Sequence, residues 1–164
     1  MAVYSFEPII NSDSKVLILG TMPGVMSLKK QQYYGNDRNA FWWIIYSLFD
    51  QEVSDNYENK KNFLLQHNIA LWDVLKACER EGSSDSDIRD PTPNDFKALY
   101  LKHPNITSIC FNGEPARRLY NRYVEKLRQG EASKAFYSLP STSPAYTISF
   151  QEKLEKWKLL LQLL

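Results

Sequence analysis

A short apolar segment that runs into a glycine turn constrains the fold more than any other part of this chain. Residues 15–20 read Lys-Val-Leu-Ile-Leu-Gly, and residues 21–24 continue as Thr-Met-Pro-Gly. An uninterrupted apolar run of this length is typical of a strand covered on both faces, as in a parallel sheet. After an aromatic and polar loop, a strongly apolar helix is predicted over 39–49. A buried strand that leads through a glycine turn into a helix predicts an α/β protein with a site at the carboxyl end of that strand.

The rest of the chain repeats this alternation of strand and helix. Further strands are predicted over 69–75, 106–111 and 135–139, and further helices over 57–68, 94–103, 114–128 and 149–164. Residues 79–93 are rich in Ser, Asp and Pro and are predicted to form a long loop, a kind of segment that is often functional. The alternation predicts a three-layer α/β/α fold around a short, mainly parallel four-stranded sheet.

The bulk properties of the chain narrow its class. A length of 164 residues predicts a single domain over residues 1–164. Because 20 basic residues stand against 19 acidic ones, binding of nucleic acid would need a local basic patch. No secretory signal and no apolar stretch of ~20 residues is present, so the sequence predicts no membrane span.

The two cysteines lie far apart in the sequence. Cys78 and Cys110 lack partners at metal-ligand spacing, so both are expected to be reduced thiols in the core, and reduced thiols favour a cytoplasmic protein. An iron–sulfur cluster held by four cysteines is excluded.

Three of the predicted strands end in small or polar groups. These are the turn that begins at Gly20, the carboxylate Asp73, and the segment 139–144, which reads Leu-Pro-Ser-Thr-Ser-Pro. In an open parallel sheet such ends meet at one edge. A proline-stiffened turn with small hydroxyls can approach a phosphate backbone closely. The sequence therefore predicts a site built from all three.

Three motifs in this order carry a family resemblance. They are Gly-Thr-Met-Pro-Gly at 20–24, Tyr-Tyr-Gly-Asn-Asp-Arg-Asn-Ala-Phe-Trp at 33–42 and Leu-Pro-Ser-Thr-Ser-Pro-Ala at 139–145. The sequence resembles the uracil-DNA glycosylase superfamily, and within it the hypoxanthine-DNA glycosylase branch, often called the sixth family. Residues 71–75, 78–82 and 111–113 also look like that branch. The resemblance spans nearly the whole chain and implies a uracil-DNA-glycosylase-like fold.

The function implied by the resemblance is hydrolysis of an N-glycosidic bond in DNA. The enzyme would flip a deaminated base, hypoxanthine above all, from single- or double-stranded DNA and leave an abasic site. No cofactor, metal or membrane is expected, and the protein is expected to be a monomer. Uracil or xanthine as the preferred base is an alternative, and so is a non-catalytic module that binds nucleotides or damaged DNA through the same pocket.

The resemblance also implies roles for individual residues. Asn39 is expected to be catalytic, either by orienting the water or by hydrogen bonding to the leaving purine. Tyr34 would stack on the flipped base, and Asp73 would accept a hydrogen bond from a purine N–H. The implied base-pocket residues are Gly20, Thr21, Met22, Pro23, Tyr34, Asp73 and Asn112, and the implied DNA-binding residues are Ser141, Thr142, Ser143 and Pro144.

The chain departs from its apparent relatives at two positions. Met22 stands where the mismatch-specific branch has a catalytic asparagine, and Leu139 stands where several branches have a histidine. Because both of these usual catalytic residues are absent, catalysis is expected to depend more strongly on Asn39. No lysine is expected to be buried as a Schiff-base nucleophile, so simple hydrolysis is favoured over strand cleavage.

The same residues also allow purely structural interpretations, without a part in catalysis or binding. Asn39 could be only a helix cap, since Asn is favoured there. Tyr34 could be a packed loop aromatic, and Asp73 could be a structural acceptor. The arginine-rich helix over 114–128 is most often a solvated face.

Overall fold

A four-stranded parallel sheet lies at the centre of the protein. The computed structural model describes residues 2–124 and 134–164. The strands are β1 (Ala2–Tyr4), β2 (Val16–Gly20), β3 (Ile69–Asp73), β4 (Leu75–Glu79), β5 (Arg89–Pro93), β6 (Ser108–Asn112) and β7 (Ala135–Leu139). The central sheet has the order β3-β2-β6-β7, and every neighbouring pair in it is parallel.

Helices cover both faces of this sheet. They are α1 (Val25–Lys30), α2 (Phe41–Leu48), α3 (Tyr57–Gln66), α4 (Phe96–Lys102), α5 (Glu114–Tyr123), α6 (Phe150–Trp157) and α7 (Leu159–Leu163). Val16 and Ile18 pack into one core with α2, α3 and α6, whereas Leu17 and Leu19 pack into a second core with α4 and α5. Because successive side chains of a strand point to opposite faces, one apolar run supplies both cores. The predicted three-layer α/β/α fold is confirmed.

A second, smaller sheet corrects the prediction for residues 79–93. β4 pairs antiparallel with β1 and β5, and the connection between β4 and β5 contains a 3₁₀ turn at Asp85–Asp87. The prediction of a single loop over 79–93 is therefore wrong. Pro91 and Pro93 concealed the strand, because proline lacks the N–H that a central strand needs, although it is tolerated at a sheet edge such as β5.

Several predicted boundaries also move. The loop predicted between the first turn and residue 38 contains α1, and the predicted strand 69–75 ends at Asp73. The predicted helix 149–164 is divided into α6 and α7. Helix α5 ends at Tyr123, and the predicted helical residues 125–128 lie outside the described residues.

The strands of the central sheet end at one edge, as predicted. Gly20 is the register partner of Asp73, and Asn112 is the partner of Leu139. Parallel pairing places the carboxyl ends of all four strands side by side. The residues that follow them therefore surround one place in the molecule.

Two further findings concern the described residues alone. None of their helices is both long enough and apolar enough to cross a membrane. Cys78 and Cys110 are buried free thiols, as predicted, and no group of three or more His, Cys, Asp and Glu side chains among the described residues could hold a metal ion.

Candidate active site

A cavity of about 940 Å³ opens at the carboxyl edge of the central sheet. Its volume lies within the range of small-molecule sites. Every site residue implied by the sequence lines it, namely Gly20, Thr21, Met22, Pro23, Tyr34, Asn39, Asp73, Asn112, Ser141, Thr142, Ser143 and Pro144. Residues separated by more than a hundred positions therefore share one cavity, and their individual environments decide what each can do.

Gly20 allows two polar groups to meet at the base of this cavity. A Cβ atom at this position would lie 2.7 Å from Asp73 Oδ1 and 2.9 Å from the Tyr34 hydroxyl. Real Cβ atoms essentially never come within 3.0 Å of another heavy atom, so no other residue fits here without displacing one of the two. The glycine found in the sequence motif is needed for this close approach.

Asp73 is a buried carboxyl group without adequate partners. The residue is only 4% exposed, and its Oδ2 atom has no hydrogen-bond partner. Desolvation and the negative charge of Asp85 together raise the pKa of Asp73 to about 7, against a smaller opposing effect from Arg80. Asp73 therefore changes its charge near neutral pH, which is typical of functional carboxyl groups.

Tyr34 forms an aromatic wall of the cavity. It adopts a left-handed backbone conformation with φ of 53°, and its ring stacks on Phe41 with a centroid distance of 4.1 Å. Its hydroxyl accepts a hydrogen bond of 2.9 Å from Asn112. Burial and the nearby Asp73 charge raise the pKa of Tyr34, so the phenol stays protonated. Helix α2 thus holds the ring by one of its faces.

Asn112 fixes the opposite side of the cavity through bonds that use its whole amide. Its Nδ2 donates to the Tyr34 hydroxyl and to Thr142 Oγ1, and its Oδ1 accepts from the Thr142 N–H at 2.9 Å. Thr142 is only 1% exposed, and its carbonyl accepts from the Ala40 N–H at 3.0 Å. These two residues therefore support the site, and the neighbours of Thr142 are better placed to touch a ligand.

Asn39 precedes Ala40, the N-cap residue of α2, and its side chain binds the N–H of the first helical residue, Phe41. Its Oδ1 accepts a hydrogen bond of 2.9 Å from the Phe41 N–H. A backbone N–H can only donate, so this bond identifies the oxygen of the amide and leaves Nδ2 as its free end. Within the described residues Nδ2 has no hydrogen-bond partner. The capping interpretation is correct in part, and Nδ2 remains available as a donor in a residue that lines the cavity.

The turn after β7 is held from below by α6. Trp157 Nε1 donates to the Pro140 carbonyl at 2.8 Å, and Lys153 Nζ donates to the Ser143 carbonyl at 2.9 Å. Lys153 is only 4% exposed, and desolvation lowers its pKa. Lys153 does not line the cavity, and its ammonium is already bonded to the turn. This buried lysine is therefore not placed as a Schiff-base nucleophile, and simple hydrolysis stays a prediction.

The segment between β4 and β5 forms one wall of the cavity, a position that was not predicted from the sequence. Asp85 Oδ1 accepts from the Thr21 hydroxyl at 2.7 Å, and Ser83 Oγ accepts from the Val25 N–H at 2.8 Å. Arg80 Nη2 donates to the Pro23 carbonyl. The Ser/Asp-rich composition marked this segment as functional, but nothing in it indicated which strand end it would cover.

Basic residues of α5 also border the cavity. Arg118 and Arg122 are exposed and line it together with the turn after β7. The sequence favoured a merely solvated face for this helix. Because α5 lies beside the turn after β7, its arginines form a positive patch at the mouth of the cavity. The chain as a whole has a formal net charge of only +1.

The fold and the site agree with a known family. A family model of the uracil DNA glycosylase superfamily matches residues 7–163, and the chain belongs to that superfamily. The resemblance and the fold class predicted from the sequence are both confirmed.

Relatives that bear a more particular name cover most of the chain. A hypoxanthine DNA glycosylase of Methanosarcina acetivorans is 39% identical over 155 residues, which are 93% of this chain and 94% of that protein. One of Methanosarcina barkeri is 40% identical over 115 residues, which are 70% of this chain and 73% of that protein. A solution NMR structure of a candidate uracil DNA glycosylase from M. acetivorans superposes with a TM-score of 0.83 at 34% identity, and covers 99% of this chain and 98% of that one.

The buried Asp73 carboxyl predicts a particular dependence of stability on pH. Its pKa rises from an ordinary value of 3.8 to about 7, so ionisation opposes folding and stability falls as the pH rises between these values. The free energy of unfolding of Asp73→Asn, minus that of the parent, should therefore increase from pH 4 to pH 8, by up to roughly 4 kcal/mol. Denaturant titrations at several pH values measure this difference.

Asp13→Asn is the matched control for this prediction. Asp13 is exposed, so the same change of charge should leave the difference within about 0.5 kcal/mol over the whole range. A difference for Asp73→Asn that does not change with pH would contradict the assignment of a strained, ionisable carboxyl group.

Proposed function

We propose that this protein is a monofunctional DNA glycosylase that removes hypoxanthine from deoxyinosine in DNA. The observation that carries the proposal is a cavity of purine-accommodating size that combines an aromatic wall, a buried carboxyl group and a basic mouth. The names of the two Methanosarcina relatives support hypoxanthine as the base.

The reaction replaces a bond from sugar to base by a bond from sugar to water. The C1′–N9 bond breaks with its electron pair going to the purine, water adds to C1′ and releases a proton, and the purine gains a proton as it leaves. Positive charge develops on the sugar and negative charge on the base. Catalysis therefore needs hydrogen-bond donors aimed at the base and a positioned water.

The wall and the base of the cavity suit a flipped purine. The Tyr34 ring is stacked on Phe41 by one face, which supports a role for the other face in stacking on the base. The N–H groups of Thr21 and Met22 form no hydrogen bond within the described residues and can donate to the base carbonyl. Asp73 can accept from the purine N1–H.

Asn39 is the proposed catalytic residue, and its capping bond favours one of its two possible roles. Because Oδ1 is held by the Phe41 N–H, the free end of the amide is a donor. A fixed donor would stabilise negative charge on the leaving purine. The role of accepting a proton from the attacking water suits this geometry less well.

DNA would lie across the mouth of the cavity. Ser141, Ser143 and Pro144 line that mouth on a turn held by Trp157 and Lys153, and Arg118 and Arg122 lie beside it. We propose that these groups contact the phosphate backbone, with Thr142 in a supporting role.

Release of free base from defined duplexes tests the proposed function. Single-turnover reactions on duplexes with one deoxyinosine, deoxyuridine or deoxyxanthosine, followed by alkali to reveal abasic sites, should give release chiefly from deoxyinosine. Untreated samples should stay uncleaved, since no lysine lines the cavity in the described residues. Release chiefly from deoxyuridine would overturn the choice of base, whereas binding without any release would indicate a non-catalytic binding module.

Substitution of Asn39 by Asp and by Ala separates its two roles. Asp retains the capping oxygen but removes the donor, so Asn39→Asp should keep the stability of the parent while losing base release by at least about 100-fold. Asn39→Ala should lose the same activity and, in addition, about 1 kcal/mol of stability, because the cap is gone. Full activity in Asn39→Asp would indicate that the residue caps the helix or orients the water, and would refute the proposed donor.

The salt dependence of DNA binding tests the basic mouth. If Arg118 contacts one phosphate, Arg118→Ala should lower the slope of log K against log salt concentration by about 0.9 on duplex DNA. Lys102→Ala is the control, because Lys102 is exposed on α4 and does not line the cavity. Equal slopes for Arg118→Ala and the parent would exclude that contact.

A further inference from the structure

A carboxyl group and an amide group recognise the edge of a base through different hydrogen bonds. An ionised carboxylate has only acceptors, whereas an amide has an acceptor and a donor. Asp73 is 4% exposed and lines the cavity, and no described residue donates a hydrogen bond to its carboxyl group. Oδ2 is fully buried, so Oδ1, which lies beside Gly20 and the Tyr34 hydroxyl, is the oxygen available to a ligand, and the charge state of Asp73 decides which ligands it suits.

Deamination changes the base in a way that such a group detects. Adenine and cytosine present a ring nitrogen that accepts, beside an amino group that donates. Hypoxanthine and uracil present a ring N–H that donates, beside a carbonyl that accepts. An acceptor-only group therefore pairs with the ring N–H of the deaminated base but meets the lone pair of the parent base.

We propose that the ionised carboxylate of Asp73 is the group by which this enzyme rejects undamaged adenine. The proposal rests on the function proposed above and concerns the same site. With a proton on the carboxyl group, Asp73 gains a donor that pairs with adenine N1. Discrimination against adenine is then lost, while hypoxanthine still finds an acceptor.

The surroundings of Asp73 identify it as the group that titrates. Asp85 and Arg80, from the segment after β4, shift the pKa of Asp73, and the Asp73 charge in turn acts on the phenols of Tyr33, Tyr34 and Tyr57. All three phenols have a pKa raised by burial, so they stay neutral between pH 5.5 and 8.5. Asp85, which also accepts from Thr21, disfavours the Asp73 anion, and Arg80 favours it.

The other amide and carboxyl side chains of the cavity are less suited to bind the edge of the base, because an accepting oxygen of each already has a partner. The amide of Asn112 is fully used in bonds to Tyr34 and Thr142. The Oδ1 of Asn39 is held by the Phe41 N–H. Asp73 and Asp85 are the carboxyl groups that line the cavity in the described part of the chain, and Asp85 Oδ1 is bonded to Thr21.

The ratio of adenine release to hypoxanthine release, measured against pH, tests the proposal. Duplexes carry one deoxyadenosine or one deoxyinosine opposite an abasic-site analogue, so that neither base is paired. With a pKa of about 7, the ratio should rise about 30-fold from pH 8.5 to pH 5.5, following the protonated fraction of Asp73. The ratio cancels any pH effect on DNA binding or on the water.

Asp73→Asn is the first control, because its amide always has a donor. This variant should show a ratio that hardly changes over the same pH range and that exceeds the ratio of the parent at pH 8.5. An equal rise with falling pH in the variant would assign the effect to protonation of the base and overturn the proposal. Undetectable adenine release by both proteins at every pH would also overturn it, since another group would then exclude adenine.

Asp85→Asn keeps the test decisive if Asp73→Asn does not fold. Removal of the Asp85 charge should shift the midpoint of the ratio to lower pH, because this charge raises the pKa of Asp73. An unmoved midpoint would overturn the proposal. Failure of the parent to release hypoxanthine at any pH would instead refute the function proposed above, so the two failures are distinguishable.

Discussion

Contact between the ends of two neighbouring strands, made possible by the missing side chain of Gly20, sets the geometry of the site. Gly20 and Asp73 are register partners in β2 and β3, and the Tyr34 hydroxyl reaches the same point from the loop before α2. A one-residue shift of β3 would turn Asp73 to the opposite face of the sheet. Close packing of the β2 side chains in two separate cores holds that register, so core packing and site geometry are one constraint.

The site combines one part that is saturated with hydrogen bonds and one part that is not. Asn112 uses its whole amide to hold Tyr34 and Thr142, which gives a rigid wall. Asp73, by contrast, has an oxygen without a partner in a buried position, where ionisation opposes folding. Such strain persists only because the surrounding sheet and helices over-determine the fold, and it gives the Asp73 carboxyl group a pKa near neutral pH.

A side chain that bonds to the backbone can leave its other end unbonded. Asn39 caps α2 with its oxygen, and this bond points the donor end of the amide away from the helix. Lys153 likewise contributes through position, since its buried ammonium supports the Ser143 carbonyl of the turn and does not reach the cavity. In both cases a bond to the backbone defines the orientation of a polar group that a sequence motif alone leaves open.

By itself, the sequence determined the central sheet and the cluster of motif residues, because buried parallel strands have a continuous apolar pattern and end at one edge. It did not determine β5, since Pro91 and Pro93 are informative only once the strand is known to lie at an edge. The approach of Asp85 to Thr21, across 64 positions of sequence, was decided by the tertiary structure alone. Periodicity and propensity describe neighbours along the chain, whereas the charge that reaches Asp73 depends on how distant segments pack.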